Sequence, residues 1–394
     1  MMTLRHMLLA AVVSASPLAV QAQVTQPMDS TAATAAPTAP AGPYRPTDKD
    51  ERGLWMQVDE YERDLKNSNF VIRDPKLNAY VRSVLCRSVG ETECGQARIY
   101  IQRTPFFNAS MAPNGMMQVW SGLLLRMRNE AELAAVLSHE FGHYRERHSL
   151  QLFRDIRRKT DALAWLSFIP YGSLAQIPLM GTIFANSREM ERDADRLSVG
   201  YLHNANYDPT ATASIWERFR QEADATAAAR KHRSRKDRNG GFFGTHPTPK
   251  DRIQYLSQAA AAAKDADDEL GRERYRAALA DWWPHLVEDQ VKLANFGGTE
   301  YLIGQLAQDG WTTELLYARA ENHRTRGKPG DYEAAIGYYR QALAMPSPLA
   351  ENWRGLGLAL LKAGQVEEGK SALRSYLALR PQAEDRALLA GMGA

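Results

Sequence analysis

The sequence predicts a mostly helical α+β chain: a helical domain holding one small β-sheet, followed by a domain of paired helices. Three observations carry that expectation. Short runs of alternating apolar and polar residues cluster between residues 98 and 120. The stretch Ser138-His139-Glu140-Phe141-Gly142-His143 lies in a capped, amphipathic helical pattern. Further on, Pro346 and Pro381 close two similar helical stretches 35 residues apart, near the period of about 34 residues of helix-pair repeats.

At 394 residues the chain is long enough for two domains. Charged residues at 24% and hydrophobic residues at 44% suit a globular protein. A net charge of +3 is too small to argue for a nucleic-acid partner. Residues 1–22 read as an export signal, with a basic start at Arg5, an apolar run from Met7 to Val20 and a small-residue cut at Val20-Gln21-Ala22. The run is short for a full membrane span, and no cysteine follows the cut to carry a lipid. Export to a bacterial periplasm is therefore expected. Residues 23–46, rich in Ala, Thr and Pro, read as a disordered linker.

The first folded domain is expected over 47–262. Trp55, Val58 and Tyr61, then Leu77, Tyr80, Val81 and Leu85, mark two amphipathic helices broken near Asp74-Pro75. Cys86 and Cys94 are the only cysteines. In an exported chain such a close pair points to one disulfide closing a short loop, with two buried thiols as the alternative. Arg98–Arg103, Asn108–Met111 and Met116–Trp120 read as strands, the last two joined around Pro113-Asn114-Gly115.

The next helix carries the chemistry. Asn129 is placed to cap it, Glu132 to answer from the third helical position, and Leu133, Val136 and Leu137 to form an apolar stripe. In H-E-x-x-H, His139 and His143 stand one turn apart on one face, so both imidazoles can hold one Zn2+ ion. Glu140 beside them is the candidate general base for a water activated there. Two histidines leave zinc one protein ligand short. The helical stretch 187–195 offers two E-x-x-x-D pairs, Glu189 with Asp193 and Glu191 with Asp195. In either pair the glutamate would be the ligand, and the aspartate would accept an N–H from a ligand histidine. Periodicity does not choose between them.

Residues 162–187 contain no charged residue and by length could span a bilayer. A single crossing would separate the candidate ligands, and Pro170, Gly172, Pro178 and Gly181 interrupt the run. A bent hairpin is expected, either packed on the domain or in peripheral contact with a membrane. Arg230–Arg238 carries six Lys or Arg residues and reads as a solvated loop, or as a flap beside the site. From 263 to 394 helices dominate. Trp353-x-x-Leu356-Gly357-x-x-Leu360, and Ala334, Tyr338 and Ala342 before it, are similar to tetratricopeptide units, with a degenerate unit near 296–310.

Taken together, His139 to His143, Ser187 to Asp195, Thr245-His246-Pro247 with Arg252-Ile253, Asn108-Ala109, and Pro113-x-Gly115 ahead of Gly122-Leu123-Leu124 resemble the zinc metallopeptidase family of HtpX and the CAAX prenyl proteases. The likeness covers roughly residues 50–255 and is nearest to the family's periplasmic, repeat-bearing BepA-type members. It implies a zincin-like domain with Glu191 as third zinc ligand, Asp195 bracing a ligand histidine, and Asn108-Ala109 on an edge strand that holds extended substrate. His246 would either donate to the oxyanion or occupy the open zinc position and keep the enzyme inactive. The expected activity is an endopeptidase acting on misfolded or stalled envelope proteins, one Zn2+ per chain, with the repeats recruiting clients or outer-membrane assembly machinery. The alternative is a chaperone acting mainly through its repeats.

Overall fold

Helix α1 (Lys49–Asn67) begins where Asp48 accepts the Glu51 N–H, and it buries Leu54, Val58 and Leu65. A short extended link leads to α2 (Pro75–Val89). The Asp74-Pro75 break seen in the sequence is this helix's start: Asp74 accepts from the N–H groups of Lys76 and Leu77, and proline at the first helical position has no N–H to leave unpaired. The computed structural model describes residues 45–159, 188–234 and 250–393. The expected signal 1–22, nearly all of the linker 23–46, the hairpin 162–187, the second half of the basic loop 230–238 and His246 lie outside the described residues.

Cys86 at the end of α2 and Cys94 in the short α3 (Glu91–Cys94) are joined in a disulfide. Strands β1 (Arg98–Gln102), β2 (Ala109–Met111) and β3 (Met116–Trp120) follow. Their order is β1-β3-β2, with β1 parallel and β2 antiparallel to β3. The sheet therefore ends on β2. Gly115 permits the β2–β3 turn because its φ is 90° and a Cβ there would stand 2.3 Å from the Gln96 carbonyl oxygen.

The short α4 (Ser121–Arg126) leads to α5 (Glu130–Arg145), capped by Asn129 onto the Glu132 N–H. Glu132 in turn accepts the Arg128 N–H. Every residue from Glu130 to His143 is buried, so α5 is the central helix, packed on by α2, β2 and the later helices α7 (Arg188–Asn204) and α8 (Ala211–Ala229). Helix α6 (His148–Lys159) follows α5 after a sharp bend, and α9 (Lys250–Ala263) packs on α7 and α8.

Beyond 263 the same core continues. Tyr275 of α10 (Arg272–Leu279) is fully buried and donates to the Leu124 carbonyl. Arg274 pairs with the buried Glu130 at the start of α5. Helices α11 (Trp283–Lys292) and α12 (Phe296–Leu306) lie against α4 and α8 respectively. Antiparallel pairs α13 (Thr313–Arg326) with α14 (Asp331–Leu343) and α15 (Glu351–Lys362) with α16 (Val366–Leu379) complete the described chain, before a short last helix. Gly357 lets α15 and α16 approach: a Cβ there would stand 2.9 Å from the Gly369 carbonyl oxygen. The largest buried cluster runs from Ile72 to Ala372. The chain is thus mostly helical with a three-stranded sheet, the α+β architecture expected. No described helix is long and apolar enough to cross a membrane.

Candidate metal centre

Two helices build the site. On α5, His139 and His143 stand one turn apart with their Nε2 atoms 3.1 Å from each other. Helix α7 crosses α5 where Gly142 faces Ala194; a Cβ on Gly142 would lie 3.2 Å from the Ala194 Cα. That close approach brings Glu191 under both imidazoles, its Oε2 at 3.6 Å from His139 Nε2 and its Oε1 at 3.5 Å from His143 Nε2. All three side chains are buried. Glu140, also buried, follows His139 on α5.

The donor set fits zinc. Ligand atoms about 2.0–2.1 Å from a tetrahedral ion stand about 3.3–3.4 Å from one another, close to the separations here. The tautomers also fit. Asp195 Oδ1 lies 3.0 Å from His139 Nδ1, where a carboxylate favours a proton on that nitrogen and leaves the Nε2 lone pair facing the cluster. Cys86, Glu91 and Cys94 also come close together, but the disulfide uses both thiols.

The structure separates the two E-x-x-x-D pairs. Glu191 and Asp195 are 2% exposed, whereas Glu189 is exposed and Asp193 half-exposed. They lie two residues along from one another, about 200° around the helix, and only the first pair faces α5.

Arg252, on α9, closes the site from the other side. It is 2% exposed, donates bidentately to Asp195 at 2.7 Å, and reaches Glu191 Oε2 at 2.7 Å. Its guanidinium lies 4.6 Å over the Trp216 ring of α8, and Tyr255 also donates to Asp195. Burial alone would raise the Asp195 carboxyl, but the Arg252 charge and the His139 N–H hold it down at about 2. Burial alone would lower the His139 imidazole, but its bonds to Asp195 and Glu191 outweigh that and raise it to about 9.

Sequence reasoning placed Arg252 only inside a motif and overlooked Tyr255, Trp216 and His148. Nδ1 of His148 is 2.8 Å from His143 Nδ1, and burial lowers its proton affinity. Asn108 precedes the edge strand, where its carbonyl accepts the Trp120 N–H, and Ala109 is buried in β2 against α5.

The sequence also resembles that of known proteins. Residues 72–260 match the sequence profile of peptidase family M48. The chain is 30% identical over 184 residues to the mitochondrial metalloendopeptidase OMA1 of Schizosaccharomyces pombe, covering 45% of this chain and 52% of that protein. It is 29% identical over 210 residues to a putative beta-barrel assembly-enhancing protease of Vibrio cholerae, covering 50% and 41%. With the beta-barrel assembly-enhancing protease of Escherichia coli it shares 26% identity over 218 residues, covering 51% and 42%. The chain therefore spans about half or less of the length of these curated relatives.

Proposed function

The chain carries a peptidase family M48 domain over residues 72–260, and from that premise we propose that it is a zinc endopeptidase whose general base is Glu140. The observation that supports this most directly is the convergence of two imidazole Nε2 atoms and one carboxylate, all buried, within 3.6 Å of one another. His139, His143 and Glu191 would hold the ion. When bound, zinc supplies a Lewis acid that brings the pKa of a water toward about 7. Glu140 then takes the proton of the attacking water and delivers it to the leaving amine. Asp195 keeps His139 in the ligating tautomer, and Arg252 pins both carboxylates.

The proposed substrate is locally unfolded polypeptide. Strand β2 ends the sheet, so an extended chain laid along it would gain main-chain hydrogen bonds that a folded region cannot offer. Helices α13–α16 are read as tetratricopeptide-type pairs that recruit clients or partners. The Gly357 contact and the pairing of α13 with α14 and α15 with α16 support that reading. Two relatives are named for beta-barrel assembly, which favours misassembled envelope proteins as clients and the periplasm as compartment. The same helix pairs support a second reading, a chaperone that rarely cleaves.

One substitution separates the two. Glu140→Gln removes the base and leaves every proposed ligand in place. Cleavage of an unfolded reporter protein should fall by at least about 100-fold while zinc content stays at one per chain. Full rescue of a deletion strain by Glu140→Gln would instead favour the chaperone.

A further inference from the structure

We propose that His148 is a positioning residue for the metal site: its Nδ1 accepts the Nδ1–H of His143 and thereby turns the His143 Nε2 lone pair toward Glu191 and His139. The inference rests on the zinc reading above and adds a residue to it.

Proton placement decides which nitrogen of His143 can ligate. The two Nδ1 atoms are 2.8 Å apart, with the rings tilted 68° to each other and both side chains buried. At that distance one proton lies between them. If His148 held it, neutral His143 would carry its own proton on Nε2, the atom 3.5 Å from Glu191 Oε1, and that atom would have no lone pair for a cation. If His143 holds it, Nε2 is free to ligate. An acceptor at His148 Nδ1 therefore favours the ligating tautomer of His143. Asp195 does the same for His139 through a carboxylate 3.0 Å away. The two ligand histidines are thus braced by different chemistry, one by an anion and one by a second imidazole.

The chain is bent to deliver this contact. Five residues along one uninterrupted helix, His148 would point about 140° away from His143. Helix α5 instead ends at Arg145, Arg147 adopts a left-handed φ of 55°, and α6 restarts at His148. A left-handed non-glycine residue is retained only where its surroundings enforce it. Here α1 does so. Buried Glu51 lies 3.8 Å from the Arg147 guanidinium, and Leu54 and Val58 share a small core with Leu150 and Phe153 of α6.

The test is zinc affinity, measured by competition with a chromophoric chelator on the full chain, with the absorption of the cobalt-substituted protein as a second readout. His148→Asn puts an amide oxygen where Nδ1 stands and should bind zinc close to the parent affinity. His148→Leu, of similar bulk with no acceptor, should bind about 10–100-fold more weakly. His148→Gln, whose polar end reaches the Nε2 position instead, should resemble leucine. Parent-like affinity in His148→Leu overturns the inference, as does equal weakening of Asn and Gln. If the leucine variant does not fold, the comparison of Asn with Gln decides alone. A parent chain that binds no zinc would overturn the endopeptidase reading itself, and this inference with it.

Discussion

The carboxylate beneath the two imidazoles carries the sharpest test at the level of single residues. Glu189 and Glu191 are chemically identical and two positions apart, yet only Glu191 is buried against α5. Glu191→Gln should abolish stoichiometric zinc, read by elemental analysis, and reporter cleavage with it. Glu189→Gln should leave both unchanged. H-E-x-x-H and its cap were legible because helical periodicity puts both histidines on one face whatever the tertiary fold. The choice between the two acidic pairs was not legible from periodicity, because it depends on which face of α7 meets Gly142, a fact of packing. Resemblance to the family supplied it. His148 escaped because helical spacing points it the wrong way, and only the left-handed turn at Arg147 brings it back.

Among elements, α8 is placed to matter beyond its length. Near its start Trp216 stacks on Arg252 at the site; further along, Glu222 meets Arg126 of α4 in a bidentate pair at 2.7 and 2.8 Å, with both side chains under 10% exposed. Gln290 of α11 joins that pair, and it donates in turn to Thr299 of α12. A buried charge left without its partner is costly, so Arg126→Ala should lower unfolding stability by about 3–5 kcal/mol in denaturant titration. The double variant Arg126→Met with Glu222→Leu should recover most of that loss, because neither charge is then stranded. A double variant as unstable as the single one would show that the loss comes from packing. The sequence announced the strands and helices of this region but not this pair, since the partners are 96 residues apart.

For the molecule as a whole, charge sets the pH window of stability. Burial alone would raise Glu130, but hydrogen bonds from Arg274, Tyr207 and Tyr80 hold it below the ordinary value. Glu62, bonded by Arg98 and Tyr100, and Asp208, bonded by Lys264 and Thr210, are lowered against their burial in the same way. A carboxylate with a depressed folded pKa stabilises the fold above its unfolded value of about 4, and that contribution is lost as pH falls through the folded value. Burial pushes the Tyr61 hydroxyl up to about 12, so its contribution is intact below about 10 and lost as pH rises through the folded value. Denaturant midpoints of the zinc-loaded chain should therefore be level from pH 5 to 9 and decline on both sides. A midpoint that rises between pH 5 and 3 would contradict the sign.

Tyr275 and Arg274, which bond to Leu124 of α4 and to Glu130 at the start of α5, come from beyond residue 260, where the family match ends. Anyone trimming the protein to its recognisable half would remove a plug. Leu124 would lose a phenol that caps its carbonyl, and Glu130 would lose Arg274 and keep Arg87, 3.5 Å away. A cut placed after α12 spares both, along with the Gln290–Thr299 link, and is the shorter piece worth purifying.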